Sequence, residues 1–168
     1  NTGPGSSTGA THAGYGHNGL RQPYGNATAP TTMGSGGSAA SGGGVVKLIS
    51  IGNVTLNGNI TVDGGGGSTT GSGGSIWIIG NIIEGIGYIS AQGADGNDDS
   101  SGGRLRFEYT ENITYTGIID LSGGPGAWAG SFTFTNNTWP GNWIVNGTVG
   151  LLGGDYGEPA LRTNITNI

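Results

Sequence analysis

Four glycines, Gly58, Gly87, Gly117 and Gly147, stand 29, 30 and 30 residues apart, and Gly64, Gly93, Gly123 and Gly153 keep the same intervals. Two apolar columns run between them: Ile60, Ile89, Ile119 and Val149, then Val62, Ala91, Leu121 and Leu151. The columns are two residues apart, which in a β-strand puts both on one face. An earlier pair repeats in step: Val46, Ile76, Leu105 and Phe132, then Leu48, Ile78, Phe107 and Phe134, each set preceded by Gly44, Gly74, Gly103 or Gly130. Lys47, Arg106 and Thr133 fall between the members, giving the alternation of a half-buried strand.

A unit of this size cannot bury its apolar face alone, whereas stacking equivalent columns buries all of them. The apolar period of two, the β-branched and aromatic content and the recurring glycines exclude helices. The expected fold is therefore all-β: a right-handed-type parallel β-helix, or solenoid, of about four rungs. The rungs run over about 45–74, 75–103, 104–130 and 131–160, with a partial one at 161–168, in a repeat region of 44–168. Residues 1–43 lack this register and have few apolar side chains, so they are expected to form an irregular Gly-rich cap or arm. It either covers the open N-terminal end of the stack or reaches a neighbouring molecule.

Forty of 168 residues are Gly, a content that without a period would indicate a disordered chain. The register removes that reading for the repeats. Five Lys and Arg against ten Asp and Glu give a net charge of −5, which argues against nucleic acid as a partner. There is no Cys, hence no disulfide or thiolate site. The longest aliphatic or aromatic run, Ile76-Trp77-Ile78-Ile79, is far short of the roughly 20 residues of a membrane span. The chain starts at Asn1 rather than Met, as a processed product or an excerpt would.

Asn-x-Thr sequons occur at Asn26, Asn53, Asn59, Asn112, Asn136, Asn146 and Asn164. The 15 Asn and 33 Ser and Thr of the chain would give about three such matches by chance. The excess points to an N-glycosylated extracellular surface, although Asn and Thr also suit turns and strands. A competing role is structural. Asn53, Asn81, Asn112 and Asn142 each precede the first glycine column by five or six residues, where a corner favours Asn and stacked amides form a ladder. On that reading Asn53 and Asn112 are buried, and glycans are expected first at Asn26, Asn136 and Asn146.

The segments Gly71-Ser72-Gly73-Gly74-Ser75-Ile76-Trp77-Ile78, Ile89-Ser90-Ala91-Gln92-Gly93-Ala94-Asp95-Gly96 and Gly102-Gly103-Arg104-Leu105-Arg106-Phe107 resemble the Gly-rich β-helical repeats of large secreted or cell-surface, adhesin-like proteins of archaea, bacteria and some protists. The head segments Thr11-His12-Ala13-Gly14-Tyr15-Gly16, Pro23-Tyr24-Gly25 and Met33-Gly34-Ser35-Gly36-Gly37 resemble the region preceding such repeats. The resemblance implies an extracellular or cell-surface location, a structural or adhesive role and no catalytic residues.

Catalytic candidates are correspondingly thin. Asp95, Asn97 and Asp99 space oxygen ligands as the start of a calcium loop does, but Ser100 stands where the sharp-turn Gly belongs and Arg106 where a bidentate Glu belongs. Calcium is the one cofactor this spacing admits, against a solvated acidic turn. Asp63, Asp120 and Asp155 recur near the second strand, yet a β-helix polysaccharide lyase needs clustered carboxylates with a base or metal, and the stack offers few bases. His12 and His17 lack a third ligand candidate nearby. The expected function is thus a non-enzymatic, glycosylated structural protein. Beyond Pro159 the run Leu161–Ile168 stops partway through a rung, and an unpaired rung edge templates another strand, so head-to-tail self-association into a surface filament is expected. The alternative is a carbohydrate- or surface-binding module of a large adhesin, with Trp128, Trp139 and Trp143 as sugar platforms, and a β-helix lyase is third.

Overall fold

The computed structural model describes Pro4 and residues 9–19, 21–137 and 148–150. Among these residues nine strands follow in order: β1 Val45–Ile49, β2 Val54–Thr55, β3 Asn59–Thr61, β4 Ser75–Gly85, β5 Tyr88–Ser90, β6 Arg104–Tyr115, β7 Ile118–Asp120, β8 Ser131–Asn136 and β9 Thr148–Gly150. All pairings are parallel and fall into two sheets, β1-β4-β6-β8, with β2 also on β4, and β3-β5-β7-β9. The chain is a parallel β-solenoid of about three turns. Among the described residues no helix is long and apolar enough to cross a membrane.

The columns read from the sequence are the core. Val46 pairs with Ile76, Ile76 with Leu105 and Leu105 with Phe132, while Ile60, Ile89, Ile119 and Val149 are in register in the second sheet. Ile76, Ile78, Leu105, Phe107, Ile89 and Leu121 are wholly buried. The aliphatic interior becomes aromatic along the stack: Phe107 meets Tyr115, Phe132 meets Phe107, and Phe134 meets Phe132, edge to face at 5.2–5.9 Å. Each such pair is worth about 0.5–1.5 kcal/mol beyond area burial.

The first strand of a rung is longer than the sequence pattern suggests. β4 and β6 run on through the expected corner at Asn81 and Asn112, adding the inward column Val54, Ile83 and Ile113. The actual turn lies at Gly85, with φ +126°, a conformation natural to Gly alone.

The third wall is backbone. After β3, β5 and β7 the chain makes a loop whose arms are tied within the rung by Gly74 N–H to Val62 C=O (2.8 Å), Gly103 N–H to Ala91 C=O (2.7 Å) and Gly130 N–H to Leu121 C=O (2.7 Å). Between rungs Gly64 N–H bonds Gln92 C=O and Gly93 N–H bonds Ser122 C=O. A β-carbon on Gly64 would collide with the Gly71 carbonyl, and one on Gly93 with the Ser100 carbonyl. The close approach of these arms, not flexibility, requires the glycine.

The described residues between 9 and 43 contain no strand and have two tasks. Residues 34–43 form a loop of the same kind, closed by Gly34 N–H to Gly43 C=O, and lie under the first glycine loop through Gly65 N–H to Ser41 C=O and Ser72 N–H to Ser35 C=O. The preceding stretch runs along the flank across successive rungs. Ser101 N–H bonds Ala10 C=O, Trp128 N–H bonds Tyr15 C=O, Ser75 Oγ bonds Thr32 C=O and Thr133 Oγ1 bonds Ala27 C=O. The arm clasps the stack and closes the glycine wall, while among the described residues nothing covers the outer edges of β1, β2 and β3.

Gly93→Ala is expected to destabilise by more than about 2 kcal/mol, because the clash is with backbone. Gly58→Ala, where a β-carbon meets open space, should stay within about 0.5 kcal/mol of the parent. Thermal denaturation of the two variants checks the pair; equal melting temperatures would refute a steric role for the wall.

Candidate functional site

The exposed end of the solenoid is the first candidate. Leu48 points into the stack yet is 38% exposed, whereas Ile78 one rung on is 0% exposed. Val46, Val54 and Ile60 are likewise only partly buried against the core. Among the described residues β1, β2 and β3 each have a neighbour on one side only. This end therefore presents unpaired backbone groups around an unfinished apolar layer.

The polar residues singled out in the sequence mostly join rungs. Asp99 is 7% exposed; Oδ1 accepts the Gly96 N–H at 3.1 Å and Oδ2 the Gly126 N–H at 2.6 Å, fastening its own loop to the next. Asp95 and Asn97 are exposed on the preceding turn. The carboxylate needed as third calcium ligand is thus committed to backbone amides, and among the described residues no three His, Asp or Glu side chains converge as a metal site. Asp63 Oδ1 accepts from Ser90 Oγ and, at 2.7 Å, from Gln92 N–H; Asp120 accepts from Gln92 Nε2 and from Ser122 N–H at 3.0 Å. These two carboxylates are corner ties, and Asp155 lies outside the described residues.

The expected Asn ladder is not formed. Asn112 pairs with Ile82, and a bulge between Gly80 and Ile82 sets Asn81 out of step with it. Asn81 Oδ1 accepts from Thr110 Oγ1, and Asn112 Oδ1 accepts the neighbouring Ile113 N–H at 2.9 Å. Asn53 is exposed, and Asn142 lies outside the described residues. An extra residue in β6 relative to β4 sets Asn81 and Asn112 at different positions along their strands. Asn53 is open to solvent, as are Asn26 and Asn59, while Asn112 and Asn136 are part-exposed. Asn26 Oδ1 accepts both the N–H and the hydroxyl of Thr28 at 2.8 Å, a turn within its own sequon. Asn146 and Asn164 lie outside the described residues.

His12, fully buried, is the node of the clasp. Its Nδ1 is 2.7 Å from the Gly73 carbonyl and its Nε2 is 2.9 Å from Thr32 Oγ1. The carbonyl accepts only, so Nδ1 carries the proton and Nε2 accepts from the hydroxyl. Arg104 Nη2 donates to His12 C=O at 3.0 Å. Burial first and the Arg104 charge second hold the imidazole down at about 3; burial also lowers the guanidinium to about 10. A second cation beside Arg104 is what this node excludes.

On the outer face Lys47, Trp77 and Arg106 are in register, with Lys47 Nζ 3.8 Å and Arg106 Cζ 5.1 Å from the indole centroid. Glu108 accepts from Trp77 Nε1 at 3.1 Å and pairs with Arg106 at 3.2 Å. Within the cluster only Arg106 Nε is buried without a hydrogen-bond partner among the described residues. A cavity of about 590 Å³ opens instead between the arm and the loop before β8, lined by Tyr15, Gly16, His17, Asn18, Gln22, Gly126 and Trp128. Trp128 was a sequence candidate and Trp139 and Trp143 lie outside the described residues; Tyr15 and Gln22 carried no sequence signal because the fold alone brings them to Trp128.

Comparison with models of protein families, with curated proteins and with solved structures finds no match for this chain.

The unfolded chain protonates His12 near its ordinary 6.5, whereas the folded chain resists until about 3, so this contribution is complete above pH 6.5 and declines as pH falls toward 3. At pH 4.5 the loss is on the order of 2–3 kcal/mol. Melting temperatures at pH 7.5 and 4.5 should fall clearly for the parent and less for His12→Gln; parallel slopes would refute the assignment.

Proposed function

We propose that this chain is an extracellular, glycosylated structural protein, a subunit of a surface filament that assembles by head-to-tail β-stacking. One observation carries the reading: the unfinished first rung, with β1, β2 and β3 unpaired on one side and Leu48 uncovered. The best-fitting layer on that end is one with the same geometry, apolar side chains two apart and a parallel strand 4.7–4.9 Å away. The chain repeats this layer at every rung. A contact between unlike ends of a stack is heterologous and, without a closing rotation, runs on as a filament.

The sequons support the extracellular part. Asn59 and Thr61 alternate with the inward Ile60 and are exposed, so a glycan there projects sideways from the stack. Asn26 and Asn53 are exposed too. Sugars on the flank leave the stacking end open and oppose lateral association.

Electron microscopy of the purified protein tests the assembly. Fibres with a subunit rise on the order of 20 Å, four strand spacings, are expected, and Leu48→Lys should yield folded, dispersed monomers because it places a charge in the stacking layer. Dispersed parent protein at all concentrations refutes the filament. Separately, the intact mass of the native protein should exceed the 16.6 kDa of the chain and fall toward it on enzymatic removal of N-glycans.

A further inference from the structure

The cavity between the arm and the third rung has the make-up of a ligand site. Its volume of about 590 Å³ lies within the range of small-molecule pockets. Tyr15 and Trp128 meet edge to face, 5.1 Å between centroids at 70°, giving two apolar walls set at an angle. The Tyr15 hydroxyl donates to Gln22 Oε1 at 2.8 Å, which fixes the amide at the rim and leaves its NH₂ without a partner among the described residues. His17 contributes its ring, whose Nδ1 is buried and has no hydrogen-bond partner among the described residues. Asn18 stands at the rim with φ 66°, the one non-glycine residue with positive φ among those described. Asn adopts this left-handed conformation readily, and here it sets the Asn18 side chain beside the cavity.

Among the described residues no Asp, Glu, Lys or Arg lines the cavity; the Asp99 carboxylate close by is engaged by the Gly126 amide. The ligand chemistry that fits is neutral, with an apolar face for the rings and hydroxyls for the amides. We propose that this cavity binds a pyranose unit of an external neutral glycan, the C–H face of the sugar lying on Trp128 and its hydroxyls meeting the Gln22 and Asn18 side chains. Anchoring the arm needs the Trp128 N–H bond to Tyr15 C=O and the ring contact. It needs neither the open volume nor the oriented amide. The proposal is independent of filament assembly.

The test uses the full chain made without N-glycans, so that its own sugars cannot fill the cavity. The indole N–H resonances are followed by NMR during titration with methyl glycosides of glucose, galactose, mannose and N-acetylglucosamine. At least one sugar should shift the Trp128 signal saturably. Gln22→Ala, at an exposed position, should weaken binding about tenfold with the other indole signals unchanged, and Trp128→Ala, which lacks the reporter indole and is followed through the Gly126 backbone amide instead, should abolish it. Should Trp128→Ala release the arm, Gln22→Ala alone decides. The absence of a saturable shift with all four sugars, or equal affinity in the parent and Gln22→Ala, overturns the proposal.

Discussion

Congruence between rungs is the constraint on which the rest of this molecule depends. A parallel ladder bonds each strand to the one a rung earlier, so a residue must occupy the same place in the cross-section as its counterpart about 29 residues before it. Two sheets meet this requirement with side chains, since Ile89 over Ile60 and Ile119 over Ile89 continue one apolar column. The third wall meets it with bare backbone. There the arms of each loop lie so close that the Gly74 and Gly103 amides bond across the rung to Val62 and Ala91, and no side chain fits between them. The glycine content follows from this geometry.

The same constraint explains where the charges went. A solenoid has repeated corners, and a carboxylate at a corner reaches amides of its own rung and the next. Asp63, Asp99 and Asp120 all accept from backbone N–H groups within one rung of themselves. Acids that in sequence look like a ligand loop or a carboxylate groove are thereby taken up by the architecture. Charge-assisted bonds of this kind are stronger than neutral ones, which suits loops that bury almost no apolar area.

What the sequence revealed was what repeats. The columns from Val46 to Phe132 and from Ile60 to Val149 were legible because period two within a strand and a constant interval between strands are both visible in one dimension. The bulge opposite Asn81 was not, since an extra residue in β6 leaves the glycine spacing almost unchanged while moving Asn112 against Ile82. The course of the arm was equally hidden. His12 meets Arg104 across 92 positions, and no periodicity links a unique segment to its seat. The Tyr15 to Trp128 contact belongs to the same class, so the sequence pointed to Trp128 but not to the cavity.

The clasp also gives the stack a direction. Residues 34–43 supply a layer beneath the glycine wall, and the arm then ties the first rung at Gly73, the second at Ser101 and the third at Trp128. The wall thus begins one layer before the sheets do, leaving a step: backbone closed on one side, β1 to β3 open on the other two. A second stack meeting this end can pair with the sheets, but it must match the height of the step where residues 34–43 already occupy the wall. The three walls differ, two being sheets and one bare backbone, so the step adds to a preference the cross-section already sets. In the proposed filament the step would admit one rotation, so residues 34–43 would fix the register between two molecules.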